Sequence, residues 1–414
     1  MDFLKKSFWT GLSSLAFAAY SFTTNKLFSV YFGPQGVTLL AHFQNLIAIF
    51  ASITNEGINR GLIKIIAKEN IGQREWNNAF TYGLALTFAM FLVVLIFLFS
   101  IGFTFYNDFP PELFTPLNLT WLIVAILLHM ICLLFISLLM AMQHIKAFTI
   151  LSVLSNVIGL IFIYIGIEKG IVTSLLYLAA SPASMLVIIL IYYVNANLSR
   201  LKKYTANFEK KAFNQIFQFL LTALASGVMA RLVDFYVRSY LIKTFSTYQT
   251  GLWQGVAKVS DGYTSVFSAA LGILIFTKIS SYMEDELKLK LFIRKSVMFT
   301  VVITGTGLTF IYHFRYDILS FFYSQEFKGG EHLIGYLLIG DWLKFPSWIF
   351  GFVLQAQLKT KTFIATQFAS AAVYLLLLWI LLPILGLEAM PLAHLLRFVF
   401  YLSLMAWLSR KWFM

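Results

Sequence analysis

Apolar residues fill most of the chain in long runs that are separated by short polar breaks. A helix needs roughly 20 apolar residues to cross about 30 Å of hydrocarbon, and runs of that length recur from the N-terminus to the C-terminus. We therefore predict an all-α integral membrane protein. Twelve transmembrane helices are expected, near 7–31, 38–64, 76–106, 117–141, 147–167, 171–194, 213–242, 250–277, 291–313, 331–357, 362–385 and 389–410.

The longest hydrophilic connector, Asn195–Lys211, lies between the sixth and the seventh predicted span. It predicts two six-helix lobes, an N-terminal lobe at 1–196 and a C-terminal lobe at 213–414, joined by an inter-lobe linker at 197–212. Because the number of spans is even, both termini are expected on the same side of the membrane.

Lysine and arginine are distributed unevenly over the connectors. If both termini are cytoplasmic, twenty bases lie on the inside, whereas the outside connectors contain only Lys169, Lys243, Arg315 and Lys328. Basic residues concentrate in the cytoplasmic loops of membrane proteins, so the bias predicts cytoplasmic termini. It also accounts for the formal net charge of +13, and no basic stripe is left over for nucleic acid.

Residue matches at one fixed offset indicate an internal duplication. A shift of 215 residues superposes Gly36 on Gly251, Gly57 on Gly272, Lys146 on Lys361 and Phe148 on Phe363. The last two pairs lie at the same predicted inside turn, between the fourth and fifth span of each half. Two six-span repeats of one orientation predict a pseudo-twofold axis along the membrane normal and a site between the halves.

Composition excludes several classes of protein. A chain with 59% hydrophobic residues, 12% charged residues and a mean hydropathy of +0.80 is not a soluble protein. Its one cysteine, Cys132, lies in a predicted span and excludes an intramolecular disulfide. Lys5 and Lys6 precede an apolar run as in a signal peptide, but that run continues to Phe32 and favours a retained span. The sequence contains neither a P-loop nor a metal-spaced His/Cys cluster, so no cofactor is predicted.

Once the charges of the connectors and span ends are set aside, eleven charged residues remain inside predicted spans, where one charge costs about 2.5–3.5 kcal/mol at the bilayer centre on insertion scales. Such residues usually face a bundle interior or a wet cavity, and acids and bases three or four residues apart share one helical face. Pairing them leaves a net cationic interior. The bases are Lys26, Arg60, Arg231, Arg238, Lys258, Lys344 and Arg397, and the acids are Glu56, Asp234, Asp261 and Asp341.

Surplus cations predict an anionic ligand. Guanidinium groups bind phosphate oxygens in bidentate fashion, so we predict that the seven bases line a cationic cavity for a phosphate or diphosphate. The alternatives are neutralisation within the intrahelical pairs and, for Lys26, Arg238 and Lys258, snorkelling at a helix end. The four acids are candidates for binding a coupling H⁺ or Na⁺ or for gating, and permanent pairing with the adjacent base is their alternative role.

The stretch Gly251–Gly262, GLWQGVAKVSDG, combines charged, aromatic and amide groups inside an apolar segment. An aromatic ring beside an amide suits the face of a sugar, so Trp253 and Gln254 are predicted to line a path for carbohydrate. His129 lies near the middle of another span and is interpreted as a packing residue.

Three segments carry a resemblance to a known family: Phe32–Glu69, Gly251–Ser280 and Leu338–Gln357, with the elements WQGV, SD and GD-LK. They resemble bacterial Wzx-type flippases, the polysaccharide exporters of the multidrug/oligosaccharidyl-lipid/polysaccharide (MOP) superfamily. The similarity covers nearly the whole chain and extends in particular to the O-antigen and enterobacterial-common-antigen (lipid III) translocases. Asn55 and Glu56 depart from the small apolar residues usual before Gly57, which leaves the role of Glu56 open.

The resemblance implies a MATE-like fold of two six-helix lobes around a central cavity in the bacterial inner membrane. It implies a transporter that moves an undecaprenyl-diphosphate-linked oligosaccharide from the cytoplasmic to the periplasmic leaflet by alternating access, coupled to an ion gradient. The implied partners are the lipid-linked glycan and membrane lipids, and a partnership with the polysaccharide polymerase and chain-length regulator is left open. The family's cavity bases correspond, by span position only, to Lys26, Arg231, Arg238, Lys258, Lys344 and Arg397.

Two rival functions are open, one of the same fold and one from another class. An ion-coupled multidrug exporter of the MATE type usually carries cationic substrates and would need a net acidic interior, whereas seven bases face four acids in these spans. A membrane polysaccharide polymerase or ligase would need a large periplasmic loop with catalytic groups, and the predicted outside connectors are too short to form one.

Overall fold

The computed structural model describes residues 2–52, 57–66, 73–100, 106–195, 229–357 and 359–412, together with single helical positions between 213 and 220. Every regular element in these residues is helical. In the first half these are α1 (Asp2–Ser52), α2 (Asn59–Ile66), α3 (Gln73–Ser100), α4 (Pro116–Ala141), α5 (Ile145–Glu168) and α6 (Ile171–Asn195), with 3₁₀ turns at Tyr106–Asp108 and Pro111–Phe114.

The second half begins with α7 (Met229–Thr244) and α8 (Thr247–Leu271). A π-helical turn, Gly272–Phe276, joins α8 to α9. The remaining elements are α9 (Thr277–Ser281), α10 (Glu286–His313), α11 (Arg315–Phe322), a 3₁₀ segment (Gln325–Leu333), α12 (Ile334–Ala356), α13 (Thr360–Leu385), α14 (Ala389–Leu408) and 3₁₀ turns at Gly386–Glu388 and Arg410–Trp412.

Helix α1 is interrupted at Gly33, between the first two predicted spans. Gly33 has φ 64° and ψ −161°, a conformation that glycine adopts far more readily than residues with a Cβ. Pro34 follows at once and has no backbone N–H to donate to a continuing helix. The chain therefore forms two helical segments here, as the separate spans 7–31 and 38–64 predict.

Seven helical segments in the described ranges are long and apolar enough to cross a membrane. Their large apolar side chains remain exposed on the protein surface: Leu117 on α4 is 80% exposed and Trp379 on α13 is 76% exposed. Lipid is the solvent that suits such surfaces, so the chain is a multi-pass membrane protein. The segments are 76–100, 116–141, 145–168, 171–193, 286–313, 325–356 and 361–408.

By spatial proximity the chain divides into two compact units, one of 1–32 with 36–244 and one of 33–35 with 245–414. In the first unit α4 packs on α5, and α6 packs on both; in the second, α12 packs on α10, α13 and α14. Helix α7 groups with the first unit, because its side chains contact α1 and the Tyr106–Asp108 turn. The lobe boundaries predicted from the sequence, with a linker at 197–212, concern residues outside the described ranges and stay a prediction.

The duplicated turn predicted at the 215-residue offset has the same backbone structure in both units. Helix α4 ends at Ala141 and α12 ends at Ala356, and the next helices start at Ile145 and Thr360. The capping residue His144 has φ −78° and ψ 51°, and its counterpart Lys359 has φ −80° and ψ 51°. Both accept a hydrogen bond from a phenylalanine N–H four residues on, at 3.0 Å in each case. This shared geometry supports the duplication.

Helix α8 approaches its neighbours in the second unit through glycines. A Cβ on Gly251 would lie 2.0 Å from the carbonyl oxygen of Pro34, and one on Gly255 would lie 2.5 Å from the Phe327 ring. Both distances are well inside van der Waals contact. The segment GLWQGVAKVSDG can therefore pack directly against the Gly33–Gln35 turn and the 3₁₀ segment at Gln325–Leu333, because its glycines have no side chains there.

Replacing Gly251 with alanine should destabilise the protein. The clash is with backbone, which cannot rotate away, so we expect Gly251→Ala to lower the free energy of unfolding by about 1–3 kcal/mol. Thermal unfolding in detergent would measure this. Gly307→Ala on α10 is the matched control, because no atom lies within 4 Å of its added Cβ and both substitutions bring the same gain in helix propensity. Equal unfolding temperatures for the two variants would contradict the packing argument.

Candidate functional site

The side chain of Asp341, on α12, is completely buried and accepts hydrogen bonds from three helices. Lys344 Nζ lies 2.8 Å and His394 Nε2 lies 3.0 Å from its Oδ1 atom. The Ser260 and Tyr263 hydroxyls each donate to Oδ2 at 2.5 Å. A buried carboxylate is tolerated only when such donors replace water. The cluster therefore holds α8, α12 and α14 together.

Close approach of α12 and α14 makes these contacts possible. A Cβ on Gly340 would lie 2.5 Å from His394 Cδ2 and 3.1 Å from Leu395 Cα. Because residue 340 has no side chain, His394 reaches the carboxylate of the next residue. The Gly340-Asp341 dipeptide thus combines a contact point for the helices with the acid that joins them.

Lys344 has a mixed environment of oxygens and aromatic rings. Its Nζ donates to Asp341 and, at 3.1 Å, to Thr264 Oγ1. The Trp348 and Phe398 rings lie 5.6 and 5.8 Å from the same nitrogen, within the range of a cation–π interaction. Lys344 is therefore fixed in place by groups on α8, α12 and α14.

Arg397 lies one turn of α14 after His394. Its Nε donates to Ser370 Oγ at 2.8 Å, and its guanidinium carbon lies 5.4 Å from the Tyr374 ring and 5.2 Å from the Phe398 ring. Phe398 thus contacts both Lys344 and Arg397. The structure brings these two predicted cavity bases together around one aromatic ring, next to Asp341.

The rest of the GLWQGVAKVSDG stretch differs in exposure from residue to residue. Trp253 and Gln254 are buried, at 8% and 6% exposure, and Lys258 is partly buried. Asp261 is exposed, whereas the preceding Ser260 is turned toward Asp341. The roles predicted for Trp253 and Gln254 in a sugar path, and for Asp261 in ion coupling, stay predictions.

Three predicted bases lie in the first unit on α1 and α7. Arg238 Nη1 donates to the carbonyl oxygen of Ala41 at 3.3 Å, and the carbonyl oxygen of Arg231 accepts a hydrogen bond from Asn45 at 3.2 Å. Both bonds connect α7 to the second segment of α1. Lys26, on the first segment of α1, is partly buried.

Two further predicted site residues of the first unit have exposed side chains. Arg60 on α2 and Asp234 on α7 are exposed. Glu56 lies outside the described residues, so its predicted pairing with Arg60 stays a prediction.

Three residues of the Asp341 cluster were not predicted from the sequence: His394, Ser260 and Tyr263. A histidine three residues before Arg397 on the same apolar helix was a usable signal, since the two lie on one helical face. The hydroxyls carried no signal, because serine and tyrosine are common in membrane helices and their partner lies 78 or more residues away.

Comparison with known proteins identifies the family. The profile described as "Polysaccharide biosynthesis protein" matches residues 3–233, more than half of the chain. This chain belongs to the polysaccharide biosynthesis protein family. The protein named Lipid III flippase of Escherichia coli K12 is 22% identical to this chain over 420 residues, covering 100% of this chain and 99% of that protein.

Solved structures show that this family member has the fold of the MOP superfamily. An inward-facing multidrug resistance MATE transporter superposes with a TM-score of 0.73 at 13% identity, covering 96% of this chain and 94% of its own. The lipid II flippase MurJ superposes with a TM-score of 0.71 at 13% identity, covering 98% of this chain and 87% of its own. The MATE-like fold expected from the sequence is confirmed, while the count of twelve spans is not tested by these matches.

Removing Lys344 should destabilise the second unit. The buried Asp341 carboxylate would lose its ammonium partner, so we expect Lys344→Met to lower the free energy of unfolding by about 3–5 kcal/mol. The double variant Asp341→Asn/Lys344→Met should recover part of this loss, because it leaves no unpaired charge. Denaturant unfolding in detergent would measure both.

The control for this experiment is Lys361→Met, which changes an exposed lysine on α13 and should stay within about 0.5 kcal/mol of the wild type. If Lys344→Met unfolded at the same denaturant concentration as Lys361→Met, the cluster would not stabilise the unit.

Proposed function

We propose that this protein is a flippase that moves an undecaprenyl-diphosphate-linked oligosaccharide from the cytoplasmic to the periplasmic leaflet of the bacterial inner membrane. The observation that carries the proposal is similarity over the entire length to the Lipid III flippase of Escherichia coli K12. Family membership and the shared fold support it independently. Surface polysaccharide of the O-antigen or enterobacterial-common-antigen type is the expected product.

The charges within the predicted spans favour this substrate. A diphosphate carries negative charge that guanidinium and ammonium groups bind well, and seven bases against four acids provide a cationic surplus. Lys26, Arg231, Arg238, Lys258, Lys344 and Arg397 are proposed to bind the diphosphate, with Arg60 at the cytoplasmic surface. Trp253 and Gln254 are proposed to contact the sugars as the two units exchange access between the leaflets.

The proposed mechanism needs no catalytic step and no cofactor, so the protein acts as a transporter and not as an enzyme. Coupling to H⁺ or Na⁺ is proposed to supply the driving force, with Glu56, Asp234, Asp261 and Asp341 as the ion-binding or gating residues predicted from the sequence. Partners would be the lipid-linked glycan and, in polysaccharide assembly, the polymerase and chain-length regulator.

We further propose twelve spans with cytoplasmic termini, arranged as lobes 1–196 and 213–414 with the linker 197–212 in the cytoplasm. The asymmetry of lysine and arginine between connectors supports this orientation. Lys328 is then periplasmic and Lys361 is cytoplasmic, and both side chains are exposed.

Cysteine labelling tests the topology. The single native cysteine, Cys132, is buried, so the background should be low. In spheroplasts a membrane-impermeant maleimide should label Lys328→Cys, and it should label Lys361→Cys only after the membrane is permeabilised. Labelling of both or of the opposite position before permeabilisation would contradict the orientation.

Complementation tests the function. A flippase-null strain that makes the matching glycan should regain surface polysaccharide when it expresses the wild type. Arg231→Ala, Arg238→Ala, Lys258→Ala and Arg397→Ala should each reduce it roughly tenfold or more, since a hydrogen bond to a charged group contributes about 1.5 kcal/mol or more.

Lys328→Ala, at an exposed connector, is the control and should retain wild-type activity at equal membrane expression. Full activity of all four charge variants would show that these bases do not bind the substrate. Failure of the wild type on the matching glycan would contradict the proposed function itself.

A further inference from the structure

A second buried polar cluster, in the first unit, is centred on His42 and Asp108, neither of which has been assigned a role above. His42, on the second segment of α1, is fully buried with one aromatic ring on each face. Its ring centroid lies 4.8 Å from that of Phe109 and 4.0 Å from that of Phe235, at interplanar angles of 24° and 16°. The imidazole is therefore stacked between a connector residue and a residue of α7.

Asp108 is the acid of this cluster. It lies in the 3₁₀ turn between α3 and α4, and its side chain has no solvent exposure. Ser239 Oγ, on α7, donates to Oδ2, and His42 Nε2 lies 3.5 Å from the same oxygen. Lys243 Nζ lies 3.4 Å from Oδ1, with its side chain half exposed. One solvent-exposed ammonium thus balances the buried carboxylate.

Neither nitrogen of His42 makes a well-formed hydrogen bond within the described ranges, and Nε2 only approaches Asp108 Oδ2 at 3.5 Å. Buried polar groups without a partner are rare and call for an explanation. The charged groups that face the ring are Asp108 from the 3₁₀ turn and Arg238 and Lys243 from α7. A proton on His42 would add a third positive charge beside one negative charge, inside an aromatic stack, so this packing favours the neutral imidazole.

We propose that His42 and Asp108 form a proton-binding site through which substrate translocation is coupled to protonation. The proposal rests on the proposed flippase function. The proposed site lies where three elements meet: α1, the connector turn and α7. Proton uptake by His42 favours conformations in which the stack has opened to water, because a ligand shifts a population toward the state that binds it better.

A proton fits this site better than a metal ion or Na⁺. Within the described residues no group of three or more His, Cys, Asp or Glu side chains is arranged to hold a metal. The Lys243 ammonium already lies where a cation would approach Asp108 Oδ1. A proton needs only the unpartnered imidazole nitrogens.

The direction in which the pKa of Asp108 is shifted is consistent with this proposal. Burial acts to raise the pKa of Asp108, but His42, Ser239 and Lys243 outweigh it and hold this pKa below its ordinary value. A carboxyl with a lowered pKa stabilises the packed state above its ordinary pKa and loses that effect as the pH falls through the lowered value. Acid therefore weakens the contacts that Asp108 makes within the cluster.

Titration of ¹⁵N-labelled histidine in the purified full-length protein tests the site without any substrate. The chain has six histidines, and the signals of His42 are those missing from His42→Phe, which keeps an aromatic ring in the stack. Lys243→Met removes a cation and should raise the midpoint of the His42 titration, whereas Asp108→Asn removes the anion and should lower it, each by about one pH unit. Shifts of opposite sign would show that His42 titrates in the field of this cation and this anion.

Transport in liposomes that contain the protein and a lipid-linked glycan tests the coupling. The wild-type rate should depend on an imposed pH difference, and His42→Phe should translocate without that dependence. His129→Phe, at the histidine interpreted as a packing residue, is the matched control and should keep the wild-type pH profile.

The proposal is overturned if the His42 signals stay neutral in the wild type and in Lys243→Met down to the lowest pH at which the protein remains folded. It is also overturned if His42→Phe keeps the wild-type pH profile. If the wild type translocates no lipid-linked glycan at any pH, the proposed function fails, and the histidine titration still decides whether the dyad binds a proton.

Discussion

A carboxylate that is buried between membrane helices must find all of its hydrogen-bond donors within the protein. Asp341 meets this constraint with an ammonium, an imidazole and two hydroxyls from α8, α12 and α14. No two of these helices can separate without leaving a polar group unpaired. The packing of the second unit therefore depends on one charged side chain. The remaining interior is mostly apolar and fixes the relative positions of the helices less specifically.

Short hydrogen bonds of this kind require helices that lie close together, and glycines provide that closeness. Gly340 allows α14 to contact α12 beside Asp341, and Gly251 allows α8 to contact the turn at Gly33–Gln35. Packing with small residues is the usual means by which membrane helices associate, since lipid provides no hydrophobic driving force between them. Gly255 of the WQGV element and Gly340 of the GD element therefore have a structural role that precedes any role in binding.

Hydropathy and spacing predicted the features that depend on nearby residues. The helices of the described ranges follow the predicted apolar runs, Asp341 and Lys344 are in contact three residues apart, and the turn before Lys146 recurs before Lys361. Contacts between distant parts of the chain were not predictable in this way. His394, for example, reaches Asp341 across 53 residues of sequence. One sequence provides spacing along a helix but not the rotation of one helix against another.

The two buried carboxylates differ in how they are neutralised, and that difference bears on which of them can respond to pH. Asp341 has two hydroxyl donors and two nitrogen donors, and its lysine is mostly buried. A proton on either oxygen would displace a donor that already binds there, and it would leave Lys344 without its anion. Asp108 faces an exposed lysine and a histidine whose nitrogens have no partner in the described residues. A group with unused hydrogen-bonding capacity changes its charge at a smaller cost to its surroundings. Asp341, which holds three helices together, is thus better suited to gating, and the connector acid beside His42 is the better proton carrier.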